Sequence, residues 1–390
     1  MNRLETMIKE LCPNGVEYKK LGDVASISRG GSFQKKDFCE EGIPCIHYGQ
    51  IYTKYGLFTD KTITFINAET AKKQKFATKN DIVMAVTSEN IDDVCKCVAW
   101  LGEENIAVSG HAAIIHHTLN PKFLCYYFHT AMFYAQKKKL AHGTKVMEVT
   151  PDSLTDIMIP VPPMEVQEEI VRILDNFTEL SAELSAELSA RKLQYKYYTE
   201  LLLDFSSNKK CEWRTLNEIA ENCDSKRKPV TKKNRTSGEY PYYGASGIVD
   251  YVDDYIFDGD YLLISEDGAN LLARVTPIAF SISGKNWVNN HAHVLHFDTY
   301  VTRKFVEFYL NFINLEKYIS SAAQPKLTQD NLNKIPIPFP PIEEQTRIVS
   351  ILDRFDRLCN DISEGIPAEI QARCTQYEYY RDLLLSFTEA

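Results

Sequence analysis

A chain of 390 residues is too long for one ordinary core and suits two domains with connecting elements. Its 44% apolar and 25% charged composition is globular, and no run of 18 or more apolar residues is present to span a bilayer, so no membrane partner is expected. The net charge of −9 argues at first against nucleic acid as a partner, since phosphate contacts need Lys and Arg; the distribution of charge has to decide.

Met1 to Thr6 lacks the apolar run of a signal peptide, and the ten cysteines are scattered with one close pair, Cys95 and Cys97. A cytoplasmic chain with buried thiols is expected. The first domain is assigned to residues 1–158. It carries bases at Lys35 and Lys36, at Lys72, Lys73, Lys75 and Lys79, and at Lys137, Lys138 and Lys139. The apolar run Ile82–Val86, followed by Ser88 and Glu89, predicts a strand, and the aromatic-rich stretch Phe123–Ala135 predicts a helix.

Residues 159–207 form a connector and helix. Pro160, Pro162 and Pro163 exclude a regular helix and predict a stiff, extended lead-in. Behind it Ile170, Ile173, Leu174, Phe177, Leu180, Leu184 and Leu188 trace an apolar stripe, while seven acids and one base, Arg172, lie between Glu165 and Ala190. Continued to Phe205 this is roughly 40 residues, or about 60 Å of helix. The unit Glu179-Leu180-Ser181-Ala182 recurs as Glu183 to Ala186 and Glu187 to Ala190.

The second domain, 208–334, holds the opposite charge pattern. Ser225 to Arg235 contains six bases (Lys226, Arg227, Lys228, Lys232, Lys233, Arg235) and no acid. Tyr261–Ile264, followed by Ser265 and Glu266, predicts a strand, and Phe305–Ile319 a helix. Both domains read as mixed α/β, that is α+β. Residues 335–390 form a second connector and a helical region from Glu343, interrupted by Gly365 and Pro367. Two apolar stripes in one chain can cover each other, which predicts an antiparallel intramolecular coiled coil.

The chain is internally duplicated. Ile159-Pro-Val-Pro-Pro-Met-Glu-Val-Gln167 recurs as Ile337-Pro-Phe-Pro-Pro-Ile-Glu-Glu-Gln345, a shift of 178 that continues through Ile-Leu-Asp at 173–175 and 351–353. Tyr195, Tyr197, Tyr198 and Leu201 recur as Tyr377, Tyr379, Tyr380 and Leu383, shifted by 182, so the second copy is four residues longer here. Glu17–Ala25 resembles Glu212–Ala220, shifted by 195, and Val108–His116 resembles Val288–His296, shifted by 180. By the difference of these two shifts, the first copy carries about fifteen extra residues in its middle. Edges that agree around diverged middles predict a shared scaffold reading different ligands.

No Asn-Pro-Pro-Tyr-type methyltransferase motif, Gly-x-Gly-x-x-Gly, Walker A loop or His-Glu-x-x-His occurs, so no catalytic residue and no metal site is assigned. His111, His116, His117, His291, His293 and His296 lie in strand-like runs and read as core or hydrogen-bonded histidines; Glu89 and Glu266, one per copy, read as turn-stabilising. One basic run is equally a solvated loop, but several together favour a distributed phosphate surface. The candidate DNA contacts are Lys35, Lys36, Lys138, Lys145, Lys226, Arg227, Lys228, Arg235 and Lys326, with Tyr243, Ser246, Asn289 and Asn290 beside them. Tyr242 to Gly247 is either a loop that approaches a backbone closely or a Gly-rich turn, and Asn289-Asn290-His291 either supplies amides to adenine edges or caps a strand.

Two divergent domains, each followed by Ile-Pro-x-Pro-Pro-x-x-x-Gln and a long helix, resemble the specificity subunit of Type I restriction-modification systems; the Glu-Leu-Ser-Ala units resemble short repeats found in some members. The resemblance implies two target recognition domains, each reading half of a split site in double-stranded DNA. It implies helical regions that dock two methyltransferase subunits, here through Glu168, Glu169, Arg172, Glu344 and Arg347, and restriction (translocase) subunits that join the complex. S-adenosylmethionine, ATP and Mg would belong to those partners, with no cofactor on this chain. Two rivals are a specificity subunit for a methyltransferase of another restriction type, and a self-sufficient nuclease dimerised by its coil.

Excising Glu183–Ala186 should shorten the central helix by about 6 Å and turn one domain by about 40°. That turn is close to one base pair, roughly 34–36°, whereas the length corresponds to nearly two pairs, a difference that bending can take up. Because each domain has to keep facing its groove, the spacer between half-sites is expected to shrink by one pair with the bases unchanged. Mapping methylated sites made by the deletion variant with its partner subunits checks this; altered bases at unchanged spacing would refute it.

Overall fold

The computed structural model describes residues 2–208, 211–320 and 324–390. By internal contacts the chain forms two units, Met1–Leu184 with Ile370–Ala390, and Ser185–Glu369. The division falls inside the helical segments, after Leu184 and after Glu369.

In the first unit the proline-rich connector is itself a strand. Met158–Pro160 pairs antiparallel with Tyr18–Lys20, Ile159 opposite Lys19. The pairing is extended by Leu21 N–H to Ile157 O, 2.7 Å, and Val161 N–H to Glu17 O, 2.9 Å. Proline cannot donate to a ladder, and a short two-stranded edge is where it is tolerated. Ile159 is fully buried. The Gln167 side chain then donates to Pro162 O at 2.7 Å and accepts from Asn120 N–H at 2.8 Å, fixing the helix start. Among the described residues the unit also holds two five-stranded sheets and a two-stranded pair, Met147–Glu148 with Thr87–Ser88; in one five-stranded sheet, Ala112–His117 lies between Ala25–Arg29 and Ile82–Ala85.

The second unit repeats the device. Pro336–Pro338 pairs with Trp213–Thr215, Ile337 opposite Arg214. Leu216 N–H donates to Ile335 O, 3.1 Å, Phe339 N–H to Glu212 O, 2.7 Å, and the Gln345 amide to Pro340 O, 2.9 Å. Its two sheets have four strands each, matching the shorter middle of this copy.

The expected helix Phe123–Ala135 is two helices, Pro121–Tyr127 and Ala131–Leu140. Thr130 divides them: its backbone turns extended and its hydroxyl accepts Phe133 N–H, capping the second. The stretch expected at Phe305–Ile319 is a helix Tyr300–Phe312 followed by a short 3₁₀ turn. The central helix runs unbroken from Met164 to Leu203. Its first part buries Val166, Ile170 and Leu174 in the first unit, where Phe177 stacks on Tyr380 with centroids 5.6 Å apart. Its last part belongs to the second unit, where Tyr195 and Tyr198 stack on Phe355 at 6.0 and 5.3 Å.

The C-terminal helical region is split into Ile342–Asn360 and Ile366–Leu384. A Cβ on Gly365, in the corner, would lie 2.4 Å from Arg357 O and 2.6 Å from Asp361 O, so glycine is required there. Among the described residues no helix is long and apolar enough to cross a membrane.

His129 sits between the two helices that Thr130 divides, its Nδ1 2.8 Å from Cys125 O. Burial pulls its pKa down to about 4; His47 and His117 are lowered by burial too. The unfolded chain takes up these protons near the ordinary value of about 6.5, before the folded chain does, so stability is lost as pH falls from there toward 4. Denaturant unfolding followed by Trp100 fluorescence, with Trp213 and Trp287 replaced by Phe, should show this slope, and His129→Gln should lessen it; equal slopes would refute the assignment.

Candidate nucleic-acid interface

Four segments meet at one end of the second unit. Asn289 N–H donates to Tyr243 O at 3.1 Å, Glu266 N–H to His291 O at 2.9 Å, Gly268 N–H to Pro325 O at 3.1 Å and Leu327 N–H to Glu266 O at 2.8 Å. The Ser265 hydroxyl reaches Ala245 O at 2.5 Å. The turn at 244–247 and the loops at 265–268, 289–291 and 325–327 are thus tied into one surface.

Beneath it lies a buried ionic cluster. Arg227 Nη1 donates to Glu266 Oε2 at 2.5 Å and Ala292 O at 2.8 Å, and Nη2 stands 3.3 Å from Asp224 Oδ2. His293 Nδ1 lies 2.5 Å from Asp224 Oδ2 and its Nε2 2.8 Å from Leu327 O. Lys326 Nζ is 3.0 Å from Glu266 Oε1. Burial works to raise both carboxyls, but His293, the Val294 N–H and Arg227 hold Asp224 below the usual range. Arg227 and Lys326 do the same for Glu266. Asp224, Glu266 and His293 bring metal-type donor atoms within 4.8 Å of one another, yet the Arg227 guanidinium already supplies the cation they face.

Several expected contacts are therefore corrected. Arg227 and Arg235 turn inward and are not open to phosphate. Arg235 pairs with Asp250 at 3.0 Å, donates to Val230 O at 3.0 Å and covers the Tyr242 ring at 4.2 Å. Lys326 is exposed but engaged by Glu266. Asn289 is buried and its Oδ1 accepts His291 N–H at 2.8 Å, so it braces the loop and lacks the free oxygen a bidentate adenine contact needs. Tyr243 is half-buried against Phe280. Lys226, Lys228, Ser246 and Asn290 are exposed, as are Lys232 and Lys233.

The first unit gathers the corresponding segments differently. Tyr48 N–H donates to the Ser109 hydroxyl at 2.8 Å, the Tyr48 ring lies 4.9 Å from that of His111, and His111 Nδ1 is 3.2 Å from Thr87 Oγ1. Met147–Glu148 pairs with Thr87–Ser88, and Arg29 bonds Glu148. Lys35, Lys36, Lys138 and Lys145 are exposed. Lys137 is buried instead, donating to Asp92 O and Val94 O at 2.9 and 2.7 Å. Glu89 is exposed where Glu266 is buried, so the two acids do not share one role. His47 and Tyr48 went unmarked in the sequence; the signal available was a His-Tyr-Gly step directly after the apolar run Ile43–Ile46.

On the helices, Glu168 is exposed, but Glu169 is only 5% exposed and bonded to Arg172 at 2.7 Å. The Arg172 guanidinium holds its carboxyl below the usual range. Glu169 is thus not available to a partner. Glu344 and Arg347 pair at 2.7 Å on the surface.

The Type I restriction modification DNA specificity domain matches residues 13–191 and again 208–372. A putative type I restriction enzyme specificity subunit of Haemophilus influenzae is 38% identical over 49% of this chain and 50% of its own length, so that match spans half of the relative. A putative type I specificity subunit of Mycoplasma pneumoniae is 35% identical over 60% of this chain and 94% of its own. The EcoprrI specificity subunit of Escherichia coli is 29% identical over 93% of both. The fold is that of the S subunit from M. genitalium, with a TM-score of 0.59 at 16% identity over 96% of this chain and 97% of that one.

Lys228→Ala and Lys226→Ala should each weaken binding to all duplexes and flatten the salt dependence by about one unit. Arg227→Ala should instead destabilise the second unit by about 3–5 kcal/mol, through the buried carboxylates it leaves. Salt titrations and denaturant unfolding separate the two; a salt slope that falls with Arg227 and not with the lysines would refute the division.

Proposed function

The chain belongs to the Type I restriction modification DNA specificity family, and from that premise we propose that it reads a bipartite site in double-stranded DNA and performs no chemistry itself. The observation that carries this is the duplication in three dimensions. The ladder and glutamine bond are the same in both units, while the loop ends are held by different residues in each. One scaffold with two unlike reading surfaces suits two unlike half-sites.

Leu193, Tyr197 and Leu201, spaced by four on the central helix, are 70, 59 and 58% exposed. By the repeat shift Tyr197 and Leu201 correspond to Tyr379 and Leu383, 63 and 47% exposed in the other unit. Each unit offers the same Tyr–Leu pair to water, as two copies of one methyltransferase subunit would require. Glu168 and the Glu344–Arg347 pair remain candidate rim contacts. Restriction subunits would join later, and S-adenosylmethionine, ATP and Mg would be bound by the partners.

The purified chain supplied with S-adenosylmethionine or Mg²⁺ is expected neither to methylate nor to cut DNA, and to direct methylation to a split site once its methyltransferase subunits are added. Replacing Tyr197, Leu201, Tyr379 and Leu383 by Ser should reduce assembly while leaving the affinity of the chain for DNA. Methylation by the chain alone would overturn the non-catalytic reading.

A further inference from the structure

The second unit contains an apolar surface that neither its core nor the helix-borne patches account for. Ile248, Val249 and Tyr251 stand 47, 56 and 49% exposed on the strand Gly247–Val252. Among the described residues that strand is an edge of its sheet, paired with Ser237–Gly244 alone. An uncovered apolar edge invites association, and proteins normally blunt such edges with charge or proline.

The backbone here is built to hold these side chains out. Tyr242 is opposite Asp250 and Tyr243 opposite Ile248, so Val249 has no partner and forms a bulge. A bulge adds a residue to one strand and re-aims its side chain. Gly247 starts the strand at φ +120°, a conformation L side chains rarely adopt. A Cβ on Gly244 would lie 3.1 Å from Val249 Cγ1 and 3.4 Å from Asn289 Nδ2, so the bare glycine lets Val249 lie across the turn beside the 289–291 loop.

Charge identifies the occupant. The basic run flanks this hairpin: Arg235 is bound to Asp250, and the Trp287 indole donates to Lys228 O at 2.6 Å. Arg227 and Arg235 are spent internally, but Lys228, Lys232 and Lys233 are exposed, with no carboxylate within 4.0 Å among the described residues. Exposed cations on the run that flanks a hairpin with projecting aliphatic groups match a groove in which phosphates flank apolar base edges. The 5-methyl of thymine is the apolar group that the major groove presents, and that groove admits a two-stranded ribbon.

We propose that the bulged hairpin tip, Ile248 and Val249, enters the major groove and reads thymine methyl groups in the half-site of the second unit. This rests on the DNA-reading function above. The test uses the chain assembled with its methyltransferase subunits, on a site mapped by methylation-sensitive sequencing. Replacing thymine by uracil in that half-site should weaken binding about fourfold for each methyl group removed from the tip. Ile248→Ser with Val249→Ser should weaken binding to the thymine duplex, abolish the sensitivity to uracil and leave the salt slope unchanged. Val249→Thr, which keeps the branched shape, gives a milder form of the same result if the double variant does not fold.

A sequence-specific complex indifferent to uracil would overturn the hairpin assignment, as would a half-site without thymine. So would a variant that loses subunit assembly with DNA preference intact, which would make the hairpin a protein contact. A complex that binds all sequences alike would overturn the DNA-reading function itself.

Discussion

Each unit depends on a three-residue antiparallel ladder between its first strand and the proline segment that follows its last. Pro160 and Pro338 cannot donate, so the ladder ends there, and the next amides, Val161 and Phe339, close it onto Glu17 and Glu212. Burying Ile159 and Ile337 contributes about 1.5–3 kcal/mol each, and the more so because each joins a core that the helix also enters. Gln167 and Gln345 then bond the carbonyls of Pro162 and Pro340, so the helix leaves each ladder in a fixed direction. The repeated motif is explained residue by residue: isoleucine to anchor, prolines to stop the strand and start the helix, glutamine to fix the joint.

Elsewhere in the second unit, polar contacts do what the ladder does by burial. Arg227 spans the strand-borne Ala292 carbonyl and the loop carboxylate of Glu266, and His293 joins Asp224 to the Leu327 carbonyl. Removing one member of such a cluster leaves another charged and buried, which is costly, whereas the intact cluster permits only one arrangement of the loops above it. A surface that discriminates between base edges needs that rigidity, because the hydrogen-bond pattern of a base is read over fractions of an ångström.

Much of this was legible in the sequence, and the reasons for the exceptions are physical. The repeat gave the two-unit plan because identical ladders need identical residues at identical spacing. The strand at Met158–Pro160 was not visible, since proline content excludes a helix without naming the partner strand some 140 residues earlier. Arg227 and Arg235 counted as surface charge because the basic run itself holds no acid: Glu266 and Asp250 lie 39 and 15 residues away, and Asp224, the near partner of Arg227, stands just before the run. The aromatic stretch at 123–135 read as one helix because its hydrophobicity is continuous and the cap at Thr130 depends on a single hydroxyl. Ile248 and Val249 carry no sequence mark of exposure; it is the bulge, a property of strand register, that brings them out.

The two units differ in how they are drawn from the chain. The second is one continuous stretch, Ser185–Glu369, while the first takes residues 370–390 from beyond it. Those last residues bring Leu384, Leu385, Tyr377, Tyr380 and Phe387 to the first core. During synthesis at about 5–20 residues per second, the 185 residues between Leu184 and Ile370 take roughly 10–40 s to add. Throughout that interval Phe177 and the buried face of the early helix lack their final cover, whereas the later unit can close as soon as it has emerged. The half made first is finished last, and its exposed apolar face in the meantime is where a chaperone would bind and where premature association between nascent chains would begin.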